Sequence, residues 1–249
     1  MNNKSNFPWH TEKDFYDLHA NEIFKKDTFY HVNMIGDSEE DFTNYIINRL
    51  GLEKKHKVVD LGCGSGMLVN RISHVCEAIG ISTSSGCINN AKKNYPENNF
   101  VLANMENYKE KEVTHFLTLE SIGYANVSKT LANVYSNLVD GGIFYIKDTT
   151  PISNPNEKER SNINYWEDYW KYYTLDVPSL IEEAYKCGYS LHSFKEISSH
   201  PKLNMRPFME TLKNNIVVQE YPYPDIPVHI GTEFIFQKLT RKKWINPYI

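Results

Sequence analysis

The chain has 249 residues, 41% hydrophobic and 23% charged, with a net charge of −4. That length can bury a sizeable core as one domain with additions, and a mildly acidic balance with no dense Lys/Arg stripe argues against duplex DNA or structured RNA as a partner. The cysteines Cys63, Cys76, Cys87 and Cys187 form no C-x-x-C pair and the histidines show no H-E-x-x-H pattern, which disfavours a metal site or a disulfide framework and fits a reducing, cytoplasmic setting.

The opening MNNKSNFPWHTEKD lacks the apolar core of a secretory signal, and no later apolar run is long enough to insert in a membrane. Asp37 with Glu40 three residues on makes a helix start, after which Phe42, Tyr45, Ile46 and Leu50 recur at helical spacing. A β-branched run at 57–61 predicts the first strand. Strands follow at 78–82, 99–103 and 114–119, and Ser84 or Ser85 caps a helix running to about Tyr95. Ser128 is the expected cap of a helix burying Leu131, Val134, Tyr135 and Leu138, and the turn at 139–142 leads into a fifth strand at 143–147. Tyr165, Trp166, Tyr169, Trp170, Tyr172 and Tyr173 make an aromatic stretch, with the tyrosines at helical spacing and so read chiefly as core contacts. Pro178 opens a further helix that Gly188 closes, followed by a strand at 190–197. A helix is expected around 207–218 and an extended stretch at 221–227, where three prolines forbid a helix. The last strand is expected at 233–238. Alternating strands and helices in the first half predict a parallel α/β sheet.

The richest stretch is Val58-Val59-Asp60-Leu61-Gly62-Cys63-Gly64-Ser65-Gly66. A strand ends in an acid, a glycine-rich turn follows, and Met67 to Ile72 begins a helix. Glycines let the chain turn tightly and let a ligand approach the main chain. The helix start offers unpaired N–H groups to a carboxylate, and Asp60 can pair with a cationic amine. An amino-acid end joined to a nucleoside end suits that polarity. The dinucleotide fingerprint wants a third glycine where Met67 stands, which disfavours an NAD-type oxidoreductase.

The string D-L-G-x-G-x-G, Asp60 to Gly66, resembles motif I of the class I S-adenosylmethionine (SAM)-dependent methyltransferases. The resemblance implies a Rossmann-like α/β fold: a seven-stranded, mostly parallel sheet with an antiparallel last strand and helices on both faces. It implies SAM as cofactor, with S-adenosylhomocysteine as product. It divides the chain into an N-terminal helical cover at 1–36, a SAM-binding domain at 37–240 with acceptor-pocket insertions at 151–175 and 200–230, and a tail at 241–249. In such sheets the ligand lies at the carboxyl ends of the strands. The cofactor is therefore expected along Asp60, Gly62, Cys63, Gly64, Gly66, Ser82, Thr83, Asn104, Met105 and Leu119. Ser82 stands where the family often has a ribose-binding acid; Asn104 and Met105 stand where the adenine is usually met. These positions read equally as ordinary loop residues.

After the fourth strand comes Leu119-Glu120-Ser121-Ile122-Gly123-Tyr124. It is not the Asn-Pro-Pro-Tyr type of enzymes that methylate DNA bases, and Asn246-Pro247-Tyr248 lies off the sheet. Its E-S-x-x-Y form resembles prenyl diphosphate C-methyltransferases. Phe15-Tyr16-Asp17 and the Tyr30-His31 to Ser38 approach are similar to sterol C-methyltransferases, and Gly80-Ile81-Ser82-Thr83-Ser84 resembles the cyclopropane-fatty-acid synthases, which often have Gln where Cys87 stands. Those resemblances imply transfer to a carbon of a small organic acceptor. An alkene acceptor becomes a cation on methylation, aromatic faces stabilise it, and a carboxylate then removes a proton. Glu120 is the candidate base, with Tyr124 and Tyr16 as its catalytic companions; for Glu120 a solvated strand-end acid, or one bonding a neighbouring backbone, is the equal alternative. Small-molecule N- or O-methylation and a SAM-binding module without turnover remain open.

Overall fold

The structure is a computed structural model that describes residues 12–23, 39–151, 154–170, 173, 175–198 and 229–239. The expected cap at Asp37, the Tyr30–Ser38 approach, Tyr172, the stretches at 207–218 and 221–227, and Asn246 to Tyr248 lie outside the described residues.

Seven strands form one sheet in the order β3-β2-β1-β4-β5-β7-β6. β1 (Lys57–Leu61), β2 (Glu77–Ser82), β3 (Asn99–Leu102), β4 (Val113–Leu119) and β5 (Leu138–Pro151) run parallel; β7 (His229–Lys238) is antiparallel to both β5 and β6 (Tyr189–Ser198). This is the class I methyltransferase sheet that the resemblance implied. The chain reverses direction across the sheet between β1, which pairs with β2 on one side, and β4 on the other. In doubly wound sheets such a reversal is where ligands bind, at the carboxyl ends of the strands.

Successive side chains of β5 face opposite layers. Phe144 and Ile146 pack with Leu131 and Val134 of α5 (Val127–Asn137) and with Leu180 and Ala184 of α7 (Val177–Cys187). Tyr145 packs on the other face with Phe42 and Ile46 of α2 (Glu39–Leu50) and with Leu68 and Ile72 of α3 (Met67–Ile72). α4 (Ser85–Asn94) joins this second layer through Ile88 and Ala91 against Phe100 and Met67. α1 (Glu12–Ile23) lies against α4, and α6 (Glu157–Trp170) is inserted between β5 and α7. α6 holds Tyr165, Trp166, Tyr169 and Trp170.

Local chemistry fixes several boundaries. α7 is capped by Asp176, has Pro178 in its first turn and ends on a left-handed Gly188. Ser84, one of the two expected caps, receives the Cys87 N–H at 3.1 Å and begins α4. α5 corrects the expectation: Asn126, not Ser128, caps it, accepting from the Lys129 N–H at 3.0 Å. Ser128 instead donates to Glu183 at 2.9 Å. Leu138 belongs to β5 rather than to that helix, because it pairs with Val113; the next pair is His115 with Ile143. The expected turn at 139–142 is thus a bulge inside a strand of 14 residues, with Gly141 at φ +78°.

Candidate functional site

The glycine turn is fastened to the end of β2. The N–H groups of Gly62 and Cys63 both donate to the Ile81 carbonyl at 2.9 Å, and Gly66 N–H donates to Cys63 at 2.8 Å. Gly62, Gly64 and Gly66 all have positive φ, where a side chain is strained. At Gly62 there is no room either: a Cβ would lie 2.5 Å from Ser121 Cβ. Ser121 in turn donates to the Leu61 carbonyl at 2.6 Å and accepts from Thr118 at 2.7 Å. The turn after β1 and the turn after β4 are therefore one packed unit.

Asp60 is buried at the end of β1, and burial pushes its carboxyl up to about 7. A buried carboxylate is costly until a cation meets it. An amino group seated there supplies that cation, which is the fit expected for the amino-acid end of SAM. The neighbouring Cys63 thiol is held well above its ordinary range, first by burial and then by Asp60. It is a wall of the turn and not a nucleophile.

The other expected cofactor residues line the same edge. Ser82 closes β2, half-buried, and its hydroxyl accepts from Ser84 N–H at 3.1 Å; Thr83 is exposed. Asn104 organises its own loop, its side-chain oxygen taking the Glu106 N–H at 2.8 Å and its carbonyl the Asn107 and Tyr108 N–H groups. Met105 reaches the glycine turn, with its Cε 3.9 Å from where a Gly62 Cβ would stand. Leu119, half-buried, ends β4.

Glu120 has φ +50°, a left-handed conformation uncommon for a residue with a side chain. Its N–H donates to the Lys147 carbonyl at 3.0 Å. One carboxylate oxygen meets Lys147 Nζ at 2.5 Å and the other accepts from Thr149 Oγ1 at 2.7 Å. The Lys147 side chain is 0% exposed and that of Glu120 is 8%. Glu120 is thus the partner of a buried lysine rather than a solvated strand-end acid. Sequence reasoning missed Lys147 and Thr149. The available signal was a lysine continuing the apolar run Phe144-Tyr145-Ile146.

Tyr16 and Tyr124, 108 positions apart, meet. Their hydroxyls are 3.4 Å apart and their rings pack edge to face at 6.2 Å. Tyr124 stands on the short 3-10 turn Ile122–Tyr124, whose Gly123 carbonyl accepts the Tyr173 N–H at 3.0 Å. Tyr173, after α6, therefore also touches this turn. The structure gathers Asp60, the glycine turn, Met105, Glu120, Tyr124 and Tyr16 at the carboxyl ends of the central strands.

Residues 59–146 match the family described as a methyltransferase domain. The chain is 22% identical over 188 residues to a protein named putative methyltransferase 235L of Invertebrate iridescent virus 6, covering 73% of this chain and 69% of the other. Among solved structures, the [4+2]-cyclase SpnF superposes with a TM-score of 0.71 at 14% identity, over 92% of this chain and 97% of the other. Geranyl diphosphate C-methyltransferase from Streptomyces coelicolor A3(2), whose structure holds S-adenosylhomocysteine, gives 0.63 at 12% identity, over 81% and 76%. Residues 59–146 thus match a methyltransferase domain, and the sheet has the fold of those solved structures. Among the described residues, no helix is long and apolar enough to cross a membrane.

Proposed function

We propose that this SAM-dependent methyltransferase moves the methyl group to a carbon of a small, electron-rich organic acceptor held beneath Tyr16 and Tyr124. The observation that carries this reading is the meeting of those two rings beside the glycine turn. SAM supplies a carbon that is already electrophilic, so the protein's task is alignment. Asp60, the glycine turn and Met105 hold the donor side; Tyr16 and Tyr124 close the acceptor side. Attack by an alkene carbon breaks the sulfur–methyl bond and leaves positive charge on the acceptor, which tyrosine faces stabilise. A proton on the neighbouring carbon then leaves, and Glu120, four residues before Tyr124, is the carboxylate assigned to receive it.

One observation favours a second reading. Neutralising Glu120 leaves the Lys147 ammonium buried without its counter-charge, which is costly. Transfer to nitrogen or oxygen needs no proton removed from carbon. In that case Glu120 and Lys147 only hold the turn that presents Tyr124.

The test is incubation with methyl-labelled SAM and an extract of the cells the protein comes from. Label in small, organic-extractable material is expected, and mass spectrometry of the product then gives the atom methylated. Label confined to precipitated protein or nucleic acid overturns the small-acceptor reading.

A further inference from the structure

Tyr16 is followed by Asp17, and Asp17 faces a different partner. Its Oδ1 accepts three hydrogen bonds: from Ser84 Oγ at 2.8 Å, from Ser85 Oγ at 3.1 Å and from the Gly86 N–H at 3.0 Å. A carboxylate from α1 thus joins Ser84 in capping α4, where N–H groups lack helical partners and negative charge is favoured. The two helices approach closely. A Cβ on Gly86 would lie 2.6 Å from the Tyr16 carbonyl and 2.7 Å from that of Asp17. Further along, Asn90 donates to Asn21 at 3.1 Å.

The same cap reaches the cofactor wall. The Ser84 hydroxyl gives its proton to Asp17 and uses a lone pair for the Cys87 N–H. The Ser84 N–H is donated to Ser82 Oγ. Ser82, whose hydroxyl also hydrogen-bonds the Cys87 side chain, stands at the end of β2 where a ribose oxygen is expected. Asp17, Ser84 and Ser82 form one chain from α1 to the cofactor edge, and α1 carries Tyr16 to Tyr124.

We propose that Asp17 is a positioning residue that couples cofactor binding to the docking of α1, so that filling the SAM site steadies Tyr16 over the acceptor. The proposal rests on the SAM reading above. Coupling of this kind is reciprocal: whatever steadies Ser82 and Ser84 steadies α1, and the converse.

The test is hydrogen exchange of the α1 amides in the full chain, with and without S-adenosylhomocysteine, alongside calorimetric titration of the same compound. In the wild type, S-adenosylhomocysteine is expected to slow exchange across α1 by about tenfold or more. Asp17→Ala exchanges about tenfold faster in α1 and loses most of the response, because α4 keeps its Ser84 cap while α1 loses its anchor. Asp17→Asn, which retains an acceptor oxygen, keeps the response, whereas Asp17→Leu, of similar size with no acceptor, loses it as Asp17→Ala does. Gly86→Val, which pushes α1 off by sterics alone, reproduces the Asp17→Ala result. Unchanged α1 exchange in Asp17→Ala, or binding of S-adenosylhomocysteine with no effect on α1 in the wild type, overturns the coupling alone. Failure of the wild type to bind S-adenosylhomocysteine overturns the SAM reading and the coupling with it.

Discussion

At Asp60 the chemistry of a single side chain sets a pH dependence. Burial raises its carboxyl to about 7, so in the unliganded fold the neutral form is preferred. A carboxyl raised on folding contributes stability that is full below its unfolded value, about 4, and is lost as pH rises through about 7. A cationic ligand reverses the preference, because it needs the ionised form. SAM affinity is therefore expected to rise several-fold from about pH 6 to about pH 7.5, measured by calorimetry at each pH. A flat profile over that window would separate Asp60 from the ligand's amine.

Glu120 and Lys147 give a second test at this scale. Glu120→Gln removes the countercharge of a lysine that is 0% exposed, and a loss of about 3 kcal/mol is expected in denaturant unfolding. Adding Lys147→Met should recover most of it. Turnover then decides the role. If the double variant stays inactive while binding SAM normally, Glu120 handles the proton; if activity returns with stability, the pair only shapes the turn. Thr130 offers a milder case, since its buried hydroxyl has no hydrogen-bond partner among the described residues. Thr130→Val should leave stability equal or higher by up to about 1 kcal/mol, read as the melting midpoint.

Among the elements, α2 is joined to β7 by charge as well as by apolar packing. Glu233, fully buried, accepts from Arg49 at 2.7 Å and from the Tyr45 and Tyr145 hydroxyls at 2.7 and 3.1 Å. Burial, with Glu233 beside it, pushes the Tyr45 phenol up to about 12, so it remains a donor. Arg49→Met leaves that carboxylate without its cation, and a destabilisation of about 3 kcal/mol is expected in urea unfolding. A change within about 0.5 kcal/mol would show the pair to be dispensable.

The same scale shows what could be read from sequence. β1, the glycine turn and α7 were legible because their signals are local: a β-branched run, φ-demanding glycines, and a Pro178 start closed by Gly188. The cap of α5 was misplaced because Asn126 and Ser128 are both good caps, and a distant Glu183 takes the serine hydroxyl. β5 was read short because its bulge carries turn residues, Asp140, Gly141 and Gly142. The partners of Glu120 and the Asp17 anchor were illegible for a related reason. They are contacts 27 and 69 positions apart, and the partners Lys147 and Gly86 belong to no motif that would announce them.

For the whole molecule, alternating elements announced an α/β sheet and the resemblance an antiparallel last strand, but the order β3-β2-β1-β4-β5-β7-β6 was not legible in the pattern, since periodicity says nothing about which strands are neighbours. That order brings the ends of β1, β2 and β4 to one edge, where the turn after β1 and the turn after β4 share Gly62 and Ser121. The central claim is that this edge binds SAM through Asp60 and the glycine turn. The most direct measurement is calorimetric titration of SAM into the wild type and Asp60→Ala, with the melting midpoint of each recorded. The account predicts one site per chain in the wild type and affinity at least about tenfold weaker in the variant, from loss of a charged hydrogen bond, with the fold intact. Equal affinity in the two proteins, or no binding by a folded wild type, would contradict it.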